Sequence, residues 1–104
     1  MEQRRVFIDK TEVVFLVPTK KETISHNLVA RDISRIQFDK SVTNILGFIK
    51  SETETITVVS GKLRVPIVYK KNQCKKYFDE YKRELEEFAK QHYITFTNNT
   101  KDLV

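Results

Sequence analysis

The chain has 104 residues, 39% of them hydrophobic and 32% charged, and its 19 basic and 14 acidic residues give a net charge of +5. That length supports one domain with one core, and the composition is globular rather than disordered. A single cysteine, Cys74, excludes an internal disulfide framework and any multi-cysteine metal site.

The chain opens with Met1-Glu2-Gln3-Arg4-Arg5 and then only three apolar residues before Asp9. That stretch is too short for a signal-peptide core or a membrane span, and a lone thiol fits a reducing compartment, so a cytoplasmic location is expected. Val6-Phe7-Ile8 and Val13–Val17 are rich in β-branched and aromatic residues, and Asp9-Lys10-Thr11 between them suits a hairpin turn. Pro18 ends the second run, because it removes a ladder donor. A polar loop over Thr19–Thr23 leads to a third strand over Ile24–Val29.

From Ile33 to Asp39 the residues alternate, with Ile36 and Phe38 on one side and Arg35, Gln37 and Asp39 on the other. That period of two marks a strand with one wet face. Ile45–Lys50 reads as a further strand, with Gly47 marking a bulge or a close backbone approach. Thr55–Val59 and Leu63–Tyr69 flank Ser60-Gly61, a hairpin signal. Pro66 makes the second of these an edge strand or a bulged one.

At Asn72 the pattern changes. Cys74, Phe78, Tyr81, Leu85, Phe88 and His92 step by four, three, four, three and four, which places them on one face of a helix. Asn72 is the candidate N-cap. Phe78, Tyr81, Leu85 and Phe88 are expected to turn that face into the core. Tyr93–Thr97 reads as a short extended tail.

These elements predict a mainly-β, α+β domain of about seven antiparallel strands. The strands form a bent sheet or partly open barrel, capped by the amphipathic helix. The domain spans 1–97, and 98–104 is expected to fray.

The strand count, the lead-in Arg31-Asp32-Ile33-Ser34-Arg35-Ile36 and the Asn72–His92 helix together resemble a pleckstrin-homology-like domain of the small bacterial type, over about residues 4–92. The resemblance implies seven antiparallel strands, a capping C-terminal helix and a binding role. Where that family's helix often carries a tryptophan, this chain has Leu85 or Phe88. Where its phosphoinositide-binding members carry several basic residues around the first hairpin, it has Arg4, Arg5 and Lys10.

One segment stands out for charge. Lys70, Lys71, Lys75 and Lys76 surround the expected helix start, where the positive end of the helix dipole ordinarily favours acidic residues. Ammonium groups beside exposed N–H groups make an anion site for a phosphate, a lipid headgroup or an acidic partner. The same lysines also suit an ordinary helix surface, with Lys75–Asp79 and Lys76–Glu80 as i,i+4 pairs.

The inventory for catalysis is thin. His26 and His92 are the only histidines, no His/Cys/Asp spacing supplies converging metal ligands, and Cys74 lies far along the helix from His92. Gly47 and Gly61 are isolated, so no phosphate loop forms. The tyrosines gather around the helix and the phenylalanines sit at core positions, against the exposed aromatic platform of single-strand nucleic-acid binders. The expectation is a non-enzymatic binding or protein-interaction module without metal or cofactor. Its partner is expected to be a protein, with an anionic ligand or a membrane surface as the alternative. The helix face and the Leu63–Tyr69 edge are the places where an oligomer could form.

Overall fold

A computed structural model describes residues 3–45, 47 and 49–100. Seven strands and one α-helix follow in the order β1 (Val6–Ile8), β2 (Glu12–Pro18), β3 (Thr23–Val29), β4 (Ile33–Ile45), β5 (Ile49–Ser60), β6 (Ile67–Lys70), α1 (Phe78–Gln91) and β7 (Thr95–Asn98). The class is mainly β with one helix near the C-terminus, as the hydrophobic periods predict. The strands divide between two sheets, ordered β1-β2-β3 and β6-β5-β4-β7, and among the described residues they do not close into a barrel.

The first sheet is an antiparallel meander. Its register pairs Val6 with Phe15 and Val13 with Leu28, so these four fall on one face, and all four are buried. In the second sheet β4 and β5 pair Ile36 with Val58 and Phe38 with Ile56, and β6 adds Ile67 and Tyr69 opposite Val58 and Ile56. Ile33 and Ile36 are both buried although three residues apart. An uninterrupted strand would send them to opposite faces, and the register shift between Ile33 and Arg35 supplies the extra residue that reconciles them.

The helix completes the core. Phe78, Tyr81, Leu85, Phe88 and Ala89 are its buried residues. The Tyr69 ring links the layers, standing 6.4 Å from Phe15 of the first sheet and 6.1 Å from Tyr81 of the helix. Its hydroxyl donates to the Leu16 carbonyl at 3.0 Å, and the Tyr81 hydroxyl accepts the Arg5 N–H at 2.7 Å. Burial, joined by the neighbouring Tyr81 and Cys74, pushes the Tyr69 hydroxyl well above its ordinary pKa.

Five expectations are corrected. The helix begins at Phe78, with Tyr77 rather than Asn72 at the N-cap position. Lys71–Gln73 form a short 3-10 turn, and the Phe78 N–H donates to the Cys74 carbonyl at 2.9 Å. Cys74 is buried at 1% exposure, so a turn carries it inward and not a helical face.

Second, Ile45–Lys50 is the end of a hairpin, not a strand of its own. Ile45 pairs with Ile49, and Gly47 takes φ +78°, the left-handed backbone a tight reversal requires, in place of a bulge. The flanking Leu46 and Phe48 lie outside the described residues. Third, Ser60-Gly61 opens a wider loop than a two-residue turn, because β5 and β6 pair only as far as Val58 and Ile67. Pro66 stands just outside the ladder, and β6 is an edge strand.

Fourth, only six strands precede the helix, and the seventh runs parallel to β4. Because β6 and β4 are both antiparallel to β5, β6 and β7 point the same way, and the helix is the crossover that a parallel return needs. Finally, the tail holds further than expected: Asn98 belongs to β7, and the Asn99 N–H donates to the Phe38 carbonyl at 2.8 Å. Residues 101–104 lie outside the described ones.

Candidate functional site

The four lysines singled out by sequence sit on the link between β6 and the helix rather than on the helix. Lys70 ends β6, Lys71 starts the 3-10 turn, and Lys75 and Lys76 follow in turns. The helix dipole is satisfied conventionally, with Asp79 and Glu80 in the first turn and Lys90 in the last. The helix N-terminus therefore poses no electrostatic anomaly that the lysines must explain.

The fold brings to these lysines a strand that sequence adjacency does not. A cleft of about 390 Å³ lies between β5 and the link, lined by Glu52, Thr53, Glu54, Lys71, Asn72 and Lys75. Glu54 is its anchor. Its side chain is 17% exposed and accepts hydrogen bonds from Lys71 Nζ and Lys82 Nζ, each at 3.0 Å. Burial alone would raise its pKa, but the hydrogen bonds and charges of the two ammonium groups outweigh that and hold the carboxyl below its ordinary range. The hydrogen bond to Glu54 raises Lys71 in turn. Lys82 also stands 5.7 Å over the Phe38 ring, so the helix, β5 and the core meet at this point.

The remaining lysines differ in their surroundings. Lys76 stands 5.3 Å over the Tyr77 ring. Lys70 and Lys75 are exposed and make no ion pair with a described residue. Of the two carboxylates expected to make i,i+4 pairs, Asp79 stands 4.0 Å from Lys71 and Glu80 pairs with Arg4 at 2.9 Å. Arg4 also binds Glu84 and lies 5.6 Å over the Tyr81 ring, fixing the start of the chain to the helix.

The other reactive groups stay apart. Cys74 is buried beside Arg5, whose guanidinium donates to its sulfur at 3.3 Å. His92 Nε2 lies 2.6 Å from the Lys10 carbonyl, its ring 4.4 Å from Phe88. His26 lies on β3, opposite Phe15. Among the described residues no group of three or more His, Cys, Asp or Glu side chains could hold a metal ion, and no helix is long and apolar enough to cross a membrane.

Sequence reasoning missed Glu54, Lys82 and Tyr93. Tyr93 is 95% exposed with φ 55°, and the Ile94 N–H beyond it donates to the Ala89 carbonyl at 2.9 Å. This is a Schellman cap with a tyrosine where glycine is the usual residue. Comparison with family models, curated proteins and solved structures found no match to this chain.

Proposed function

We propose that the chain is a non-enzymatic protein-interaction module that docks an acidic partner on its lysine face. The observation carrying this reading is the division of labour among the lysines. Glu54 holds Lys71 and Lys82, while Lys70 and Lys75 are exposed without an ion pair to a described residue, Lys75 at the mouth of the cleft. Glu52 and Glu54 line the same cleft. That mixed lining of both signs suits a protein surface, whose acidic groups can meet Lys70 and Lys75 apart from Glu52 and Glu54, better than a compact phosphate group.

The alternative is a small anion or a phospholipid headgroup bound by Lys70, Lys71, Lys75 and Lys76, and the exposed ammonium groups favour it. A pleckstrin-homology-like relationship belongs to the same proposal. The strand-rich body followed by a helix supports it, and the parallel β7 after the helix departs from it. A reducing, cytoplasmic setting is also proposed, on the single thiol.

The test is thermal unfolding at low salt with poly-L-glutamate, inorganic phosphate or phosphatidylserine vesicles as probes. The double variant K70Q/K75Q serves as control, because it leaves both Glu54 bonds intact. Poly-L-glutamate is expected to raise Tm in the wild type and not in the variant. No shift with poly-L-glutamate overturns the protein-docking reading, and a shift with phosphate or vesicles alone establishes the alternative.

A further inference from the structure

Among the described residues, the outer edge of β3 has no partner strand over its whole seven-residue length. The Thr19 N–H donates to the Glu22 carbonyl at 2.7 Å, and the Ala30 N–H to the Thr11 carbonyl at 2.9 Å. These two bonds bracket the β2–β3 ladder, which runs without a register shift from Pro18↔Thr23 to Glu12↔Val29. In an antiparallel ladder the hydrogen-bonded pairs alternate. Ile24, His26 and Leu28 therefore bond inward to β2, while Thr23, Ser25, Asn27 and Val29 turn their N–H and C=O groups outward. Since β3 ends its sheet, those groups face no strand among the described residues.

Long open edges are ordinarily blunted by lysine, proline or a bulge. The terminal strands of the two sheets otherwise follow that rule: β1 is three residues long beside Arg4 and Arg5, β6 is four residues long, preceded by Pro66 and ending in Lys70, and β7 has four residues. β3 is seven residues of Thr-Ile-Ser-His-Asn-Leu-Val, with none of these devices. Ile24 remains 39% exposed on the face that buries Leu28.

We infer that this edge takes an extended acidic segment of another protein as a fourth strand. The charges at the two ends select that occupant. Lys20 and Lys21 precede the strand and Arg31 follows it; all three are exposed and none makes an ion pair with a described residue. Glu22 lies between Lys21 and Thr23, and Asp32 beyond Arg31 is held by Lys62 at 3.0 Å, so the three basic residues still outnumber the one uncompensated acid beside the strand. A second copy of the chain suits the edge less well. Antiparallel pairing of two copies through this edge would bring the basic residues flanking one strand, Lys20, Lys21 and Arg31, toward those flanking the other, where like charges repel. Beyond Val29 a cavity of about 340 Å³, lined by Thr11, Val29, Ala30, Arg31 and His92, receives an apolar side chain of the segment. Main-chain bonds to the four outward residues supply affinity, and the basic ends supply the choice of partner. The inference stands on β3 alone and makes no use of the lysine cleft.

The test uses the full chain, ¹⁵N-labelled, with two synthetic peptides: Glu-Asp-Val-Thr-Val-Thr-Val-Glu-Asp, and the same peptide with lysine at its four charged positions. The acidic peptide is expected to slow hydrogen exchange of the Thr23, Ser25, Asn27 and Val29 amides by about tenfold or more. S25P removes an outward N–H that the fold does not use, so it should keep the native Tm and abolish that protection. If S25P fails to fold, K20E/K21E takes its place, with binding expected to switch from the acidic to the basic peptide. Three results overturn the inference. They are no protection at millimolar peptide, equal protection by both peptides, and protection that rises with protein concentration alone, which would identify a second copy as the occupant.

Discussion

Replacing Tyr93 by glycine should stabilise the protein, although it deletes the largest kind of side chain a cap can carry. Tyr93 holds φ 55° with its side chain 95% exposed. The ring therefore contributes almost nothing through burial, while left-handed backbone costs an L-residue about 1–2 kcal/mol. Glycine removes that cost and adds about 0.5–1 kcal/mol of unfolded-state entropy. The balance is a gain of about 0.5–1 kcal/mol, or about 2–8 °C in Tm for a domain of this size. The Ile94-to-Ala89 hydrogen bond that defines the cap is a main-chain bond and survives the change. Differential scanning calorimetry of Y93G and Y93A separates the contributions. Y93A removes the ring but keeps a Cβ in the left-handed position, so its Tm should stay near that of the wild type. A Y93G protein no more stable than the wild type, or a Y93A protein gaining as much as Y93G, would refute the strain argument.

Leu85 is fully buried at the centre of the helix face, so L85A should lose about 2–5 kcal/mol, read as a lower urea midpoint at unchanged m. E54Q should lose about 1–2 kcal/mol by thermal melting, because it leaves the partly buried Lys71 and Lys82 ammonium groups without their shared carboxylate. The same glutamate sets an acid limb. Its folded pKa lies below the reference value of 4.5, so its contribution is complete above that pH and disappears as the pH falls through the folded value. Below about pH 4.5 the Tm of E54Q should therefore fall less steeply than that of the wild type, and parallel curves would contradict the assignment.

What sequence made legible was periodicity. Ile36 and Phe38 alternate with polar neighbours, and Phe78, Tyr81, Leu85 and Phe88 recur at helical spacing; both patterns survive because burial on one face enforces them. The helix start was not legible. The four-and-three spacing continues back to Cys74, yet the chain there is still turning out of β6, and apolar spacing alone does not separate a buried turn residue from a helical one. The two glycines illustrate the same limit. Ser60-Gly61 suggests the tight reversal and Gly47 a bulge or close approach, but the β4–β5 register places the tight reversal at Gly47, and Gly61 lies in a wider loop. For the candidate site, the lysines were visible as a run. Their anchor was not, since Glu54 lies 17 residues before Lys71 and meets it only across the β5 edge. Nor does sequence announce a parallel pairing, which depends on where a helix lets the chain return.

That return has a consequence for how the protein is made. β4 is an interior strand only once Thr95–Asn98 has docked beside Arg35–Phe38, and those residues are synthesised after the other six strands and the helix. Until then one side of β4 stands open, and Phe38 lacks the Phe96 ring that later meets it edge-on at 4.9 Å. The growing chain thus carries a sticky, half-finished layer for as long as translation takes to reach the closing strand.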